Sequence, residues 1–273
     1  MDALEFLYNT IPGRLVLRPL IGRHFSAFFG ALMDSPASKS LIPHFIKKYR
    51  INTAEFETGG VRSFNDFFRR RIKPGARPVC GDADALVAPC DGLLSVCPIK
   101  KGTVIKAKQS RFTIASMLRD KKLAKSFEGG YCLVYRLCVN DLHRYIYFDS
   151  GYKHRDRRID GFFHTVRPMA LKGVPVFTEN SRRYCVLDTH SFGRCVQMEV
   201  GAMLVGRIVN HHPAAGEVKR GSEKGFFEYG GSTVIVLIPG SDLSFREEVK
   251  AAMAEEREIF VRQGEWVARK NPV

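Results

Sequence analysis

The run Val234-Ile235-Val236-Leu237-Ile238 is apolar, mostly β-branched, and bounded by Gly230-Gly231-Ser232-Thr233 before it and Pro239-Gly240 after it. So short an apolar run, closed by turn residues, reads as a strand buried on both faces rather than as a helix. The core must therefore be built around it. Two glycines on its approach permit backbone conformations that other residues cannot adopt. Ser232, at the mouth of a rigid strand, has a hydroxyl able to attack the preceding peptide carbonyl if a base stands beside it. Such attack exchanges the Gly231–Ser232 amide for an ester, β-elimination leaves dehydroalanine, and hydrolysis of that product gives a pyruvoyl group. The plain alternative is a turn entering a core strand, because Gly-Gly-Ser-Thr is ordinary turn chemistry.

A chain of 273 residues, 45% apolar, can bury a substantial core and suits one large domain with or without a helical appendage. Its net charge of +15 calls for a polyanionic partner, either an acidic lipid surface or nucleic acid. The seven cysteines (Cys80, Cys90, Cys97, Cys132, Cys138, Cys185 and Cys195) include no Cys-x-x-Cys pair. That pattern speaks against a zinc ribbon and against a complete disulfide framework, so they read as small buried hydrophobes in a reducing compartment. Asp2 and Glu5 stand where a signal peptide carries basic residues. The longest uncharged stretch, Tyr229 to Ser241, is shorter than the roughly 18 apolar residues of a membrane span, and the expectation is a protein that does not cross the bilayer.

The character of the chain changes near residue 80. Before it, Leu17, Leu20, Ile21, Phe25, Phe28, Phe29 and Leu32 recur at helical spacing with Arg14, Arg18 and Arg23 among them, and Pro19 interrupts. A further helix is expected over Ser38 to Tyr49, and another over Phe64 to Arg71 with Ser63 as its cap. This basic, aromatic segment, residues 1–79, suits either a membrane interface or packing on the rest of the chain. From Ala85 onward short β-like runs alternate with Gly, Pro, Asn and Asp, and one short helix, Ile114 to Leu118, interrupts them. The fold class expected is α+β, a barrel-like or sandwich-like core of short strands over residues 80–273 behind an N-terminal helical segment.

Four more constellations accompany the first: Ala88-Pro89-Cys90-Asp91-Gly92, Asn140-Asp141-Leu142-His143-Arg144-Tyr145, Gly161-Phe162-Phe163-His164-Thr165-Val166-Arg167-Pro168, and Gly201-Ala202-Met203-Leu204-Val205-Gly206-Arg207-Ile208. Singly, each is weak, since Asp-Gly is usually a turn and a lone histidine usually structural. In this order, ending in Arg220-Gly221-Ser222-Glu223-Lys224-Gly225-Phe226-Phe227-Glu228-Tyr229-Gly230-Gly231-Ser232-Thr233, they resemble the phosphatidylserine decarboxylase family over nearly the whole chain.

The resemblance implies self-cleavage of a proenzyme between Gly231 and Ser232, giving a β subunit of residues 1–231 and an α subunit of residues 232–273. Ser232 would become the covalent pyruvoyl cofactor, which forms a Schiff base with the amine of phosphatidylserine and takes up the electron pair released with carbon dioxide. The family's cleavage set of Asp, His and Ser maps onto Asp91 and Ser232, but its second histidine position holds Ile146. His143 is therefore expected to serve both cleavage and proton return, paired with Asp91, with His164 in reserve. The same resemblance implies a homodimer, and with such a lipid substrate the net charge of +15 is expected to meet an anionic membrane surface and no nucleic acid. The lack of a recognisable targeting segment makes the expected place peripheral, on the cytoplasmic face of a bacterial cell membrane. Two other readings stay open: a pyruvoyl decarboxylase of a soluble amino acid such as tryptophan, and an unprocessed basic protein that binds lipid or nucleic acid.

Overall fold

The computed structural model describes residues 3–57, 59–102, 105–107, 110–165, 176–202, 207–230, 232–240 and 242–271. The strand Ser232–Ile238, every residue of which is buried, lies at the middle of a nine-stranded sheet. Its neighbours, both antiparallel, are Gly193–Gly201 and Tyr131–Leu137. Outward from these run Arg182–Thr189, Gly151–Lys153 and Gly216–Val218 on one side, and Gly92–Pro98 and Ile259–Val261 on the other, while Arg157–Ile159 pairs with the start of Arg182–Thr189. An unbroken apolar strand is stable only where both its faces are covered, which is why it takes the centre and leaves the edges to three-residue strands.

The sheet is open, and the other sheets are small ones of two or three strands, so the barrel form of the expected architecture does not hold among the described residues. The α+β class does hold. One of the small sheets, Ile208–Asn210, Glu223–Phe227 and Arg144–Ile146, carries the residue that follows His143 together with the segment that leads to Ser232.

The N-terminal part is helical over Ala3–Asn9, Ile11–Leu20, Arg23–Asp34 and Ile42–Tyr49, with a 3-10 turn at Pro36–Leu41. The expected helix over Ser38 to Tyr49 thus splits, because Pro43 seats the α-helix at its first turn while the preceding residues tighten into 3-10 geometry. Ser63 caps the next helix, Phe64–Phe68, by accepting from the Asp66 amide, and Ile114–Leu118 forms as a capped helix.

These helices hold an apolar cluster of their own: Met33, Ile42, Phe45, Ile51, Phe56, Phe64, Phe67 and Phe68. Leu142 and Tyr229, both from beyond residue 80, complete it. Tyr229 meets Phe64 and Phe68 edge-on with centroids 4.9 and 5.1 Å away. The buried Asn65 accepts from the Tyr229 amide at 3.1 Å and donates to the Gly30 carbonyl and the Asp34 carboxylate. The helices and the segments that lead to His143 and Ser232 are thereby joined by side chains that no local pattern links.

Candidate active site

Ser232 begins the central strand, directly opposite Gly201 on one neighbour and Leu137 on the other. Its partner Gly231 lies outside the described residues. Gly230 has φ of 136°, a conformation that side chains resist, so a glycine is required at the approach to the junction. Ser232 is fully buried, and its Oγ lies 3.1 Å from Nδ1 of His143.

His143 arrives from the turn that ends the Tyr131–Leu137 strand. Its Nε2 lies 3.0 Å from the Cys138 carbonyl. A carbonyl only accepts, so Nε2 carries the proton and Nδ1 presents a lone pair to the Ser232 hydroxyl, which donates. Burial, with the nearby Arg70 guanidinium adding to it, holds the imidazole pKa down to about 3, so the ring is neutral at physiological pH. Phe68 covers it with a centroid distance of 4.1 Å, and Phe227 stands edge-on at 6.5 Å. A neutral base and a serine hydroxyl thus meet in buried surroundings, with aromatic rings against the imidazole.

The turn itself is braced. Asp141 accepts from the Cys138 amide at 2.7 Å, and Arg70 donates to the carbonyls of Asn140 and Asp141 at 2.9 and 3.0 Å. Burial pushes the Asp141 carboxyl up to about 6, partly opposed by the Cys138 N–H. Asp141 sits two residues before His143, inside the constellation that the sequence singles out, yet nothing in its spacing announces this role. Arg70 belongs to the run Arg69-Arg70-Arg71 at the end of the expected helix, and nothing in that run marks it as a buried brace.

The expected pairing of Asp91 with His143 is not what forms. Both ring nitrogens are taken, by Ser232 and by the Cys138 carbonyl. Asp91 instead accepts from Arg77 Nε and Nη2 at 3.0 and 2.8 Å and from the Gln263 amide at 2.8 Å. The physical reason is charge: a buried carboxylate finds more stabilisation from a guanidinium than from an imidazole that burial keeps neutral. Asp91 still bears on the site indirectly, because the Gln263 side chain donates to the Arg144 carbonyl at 2.9 Å, one residue past His143.

His164, the reserve, is held elsewhere. Its Nδ1 faces the Tyr8 hydroxyl at 3.3 Å, its Nε2 the Glu179 carboxylate at 3.4 Å, and its backbone is gripped by Asn180. Ile146 is buried, its N–H on the Pro89 carbonyl and its own carbonyl on Gln197. The Thr233 hydroxyl is buried and makes no hydrogen bond among the described residues. Adjacent strand residues face opposite ways, so it points away from Ser232 Oγ.

Residues 64–268 match the family model for phosphatidylserine decarboxylase. The phosphatidylserine decarboxylase proenzyme 2 of Clostridium acetobutylicum is 37% identical, the match covering 98% of this chain and 92% of that protein. The proenzyme of Ruminiclostridium cellulolyticum is 35% identical over 97% of this chain and 90% of its own, and that of Clostridium tetani 33% over 98% and 91%. With three quarters of its length in the family model and near full-length relatives above 30% identity, this chain belongs to the phosphatidylserine decarboxylase family of carboxy-lyases.

Proposed function

We propose that the chain is a proenzyme that cuts itself between Gly231 and Ser232 and, once cut, decarboxylates phosphatidylserine to phosphatidylethanolamine. The observation that carries the reading is the neutral His143 with its Nδ1 lone pair on the Ser232 hydroxyl.

In the first step His143 Nδ1 removes the hydroxyl proton as Ser232 Oγ bonds to the Gly231 carbonyl carbon. The Gly231–Ser232 C–N bond breaks, and the proton held at His143 passes to the leaving amine. Loss of the Ser232 α-proton then breaks the Cβ–O bond, releases the Gly231 carboxylate, and leaves dehydroalanine, which water converts to the ketone with loss of ammonia. A burying strand and a fitted base supply the surroundings that such a serine-derived group needs. The pyruvoyl group supplies a carbonyl electrophile and an electron sink for decarboxylation. Replacing the lost carboxylate takes up one solvent proton per turnover, and His143 Nδ1, which carries no proton at rest, is the atom that relays it to the substrate α-carbon, with Phe68 and Phe227 walling the site.

The membrane surface enters the same proposal. Ile11, Leu15 and Val16 on one N-terminal helix and Phe28 and Leu32 on the next are exposed, on a protein of net charge +15. No helix among the described residues is long and apolar enough to cross a membrane. Residues 1–79 accordingly face an anionic bilayer from one side, with apolar side chains in the interface and basic ones at the phosphates.

The test has two readouts on one preparation: intact mass, and carbon dioxide release from phosphatidylserine vesicles compared with free tryptophan. The expected result is two pieces, one ending at Gly231 and one beginning with pyruvoyl, and release from the lipid alone. A single uncut chain of full mass overturns the mechanism, and release from tryptophan alone overturns the substrate.

A further inference from the structure

A pocket of about 270 Å³ opens between Ala27, Arg158, Phe163, Ser181, Arg183, Arg207 and Ile208. Three of these side chains are cationic and none is acidic. Arg158 is paired with Asp160 at 2.7 Å and Arg207 with Glu228 at 3.1 Å. The half-buried Arg183 has no such partner among the described residues. Its cross-strand neighbour Glu199 is taken up by Lys224 and Asn210, so a guanidinium held partly away from water with no carboxylate bonded to it is left open to an anion.

Sheet register ties this pocket to Ser232. Arg158, Arg183, Glu199 and Val234 lie directly opposite one another on four adjoining strands, so their side chains share a face. Two residues along the same strands comes the row Gly201 and Ser232, with the Ser181 carbonyl bonded to the Gly201 amide. Residues two apart on a strand face the same way, so Arg183 and the Ser232 hydroxyl project from one side of the sheet. Phe163 fills the space above Gly201, where a Cβ would meet its ring at 3.2 Å. Two strand spacings across and two residues along place the Arg183 and Ser232 Cα atoms about 12 Å apart. An arginine side chain, plus the few bonds between a serine amine and its phosphodiester, covers that distance.

The outer wall is lipid-like. Ala27 lies on the Arg23–Asp34 helix beside the exposed Phe28, and Phe162, also exposed, precedes Phe163. The helix entry is fastened there by the Phe163 amide on the Ile21 carbonyl at 3.0 Å.

We infer that Arg183, flanked by Arg158 and Arg207, is the subsite that binds the phosphodiester of the substrate headgroup and so selects a phospholipid over a free amino acid. The inference rests on Ser232 being the reaction centre. A cation on the substrate carboxylate would stabilise the ground state and oppose its loss, whereas one on the phosphodiester, which the reaction leaves unchanged, binds ground and transition states alike. Its removal therefore raises KM and spares kcat.

The test compares two amphiphiles in the same mixed micelles: phosphatidylserine, and an O-acyl serine that keeps the amine, carboxylate and chain but lacks phosphate. For Arg183→Met, kcat/KM on phosphatidylserine is expected to fall about tenfold or more through KM, with no change on O-acyl serine and with self-cleavage complete. Arg183→Lys should recover part of the loss, and Lys250→Met, which removes one positive charge from an exposed site outside residues 1–79, should cost nothing. Equal losses on both amphiphiles, or no loss on either, overturns the subsite. A wild-type protein that cleaves itself yet releases carbon dioxide from neither amphiphile defeats the decarboxylase reading instead.

Discussion

His143 meets Ser232 through Nδ1 at 3.1 Å while its Nε2 donates to the backbone carbonyl of Cys138. A peptide carbonyl thus does the tautomer-setting that a carboxylate does in hydrolase triads. It adds no buried charge to the pocket, which suits a base that must stay neutral.

From this arrangement Ser232→Ala and His143→Ala should each remain a single uncut chain, whereas His164→Ala should still divide at Gly231–Ser232. Denaturing electrophoresis and intact mass read the outcome directly. Efficient cleavage in His143→Ala would show that another group is the base.

Arg77 and Asp91 form a buried ion pair at 2.8 Å, with side-chain exposures of 7% and 4%. Arg77→Ala leaves a carboxylate without its cation and should cost about 3–5 kcal/mol of stability. Asp91→Asn, which keeps an acceptor for the Gln263 amide, should cost less. Urea unfolding of both on an uncleavable Ser232→Ala background measures the difference, and equal costs would mean that the charge is not what matters.

Asp141 gives the fold a pH dependence of definite sign. Its folded pKa, about 6, lies above the unfolded value, so the folded chain binds more protons between about 4 and 6. The penalty from this group is fully present above pH 6 and fades as the pH falls. Asp141→Asn should therefore be more stable than its Ser232→Ala parent near pH 7.5 by about 1–3 kcal/mol, the gain vanishing below about pH 4. His143 contributes the opposite slope between about 3 and 6.5, common to both proteins and so absent from the difference. A pH-independent difference in urea midpoint would refute the assignment.

Lys224 and Glu199 are both fully buried, Nζ lying 2.6 Å from each carboxylate oxygen. Burial works against the ammonium, and the surrounding anions, Glu199 among them, more than offset this and raise its pKa. Lys224→Met or Glu199→Leu alone should cost about 3–5 kcal/mol, while the two combined should recover most of it, since no lone charge is left behind. Chemical denaturation of the two single variants and the pair completes a double-mutant cycle.

Membrane attachment should combine charge with the exposed apolar helix face. Sedimentation with acidic vesicles is expected to weaken as ionic strength rises from about 0.05 to about 0.5 M, because screening shortens the reach of each basic residue. Ile11→Ser with Phe28→Ser should weaken it further at every salt concentration. Binding indifferent to salt, to acidic lipid and to these substitutions would remove the bilayer from the proposal.

The central strand, the Ile114–Leu118 helix and the Ser63 cap were legible in the sequence because each rests on neighbours in the chain. Hydrophobic spacing, turn residues and caps act over a few residues, and the same local reasoning singled out Ser232 as the residue entering the buried strand. The partners of the site are of another kind. His143 and Ser232 are 89 residues apart, and Asp91 and Gln263 are 172 apart. Which nitrogen faces the hydroxyl, and whether Asp91 answers to a histidine or to Arg77, depends on competition among buried polar groups for the strongest available donor. The sequence by itself determined the strand, its serine and the basic, aromatic helices. The tertiary structure alone decided the partners, because desolvation and hydrogen-bond geometry exist only once the chain has closed around them.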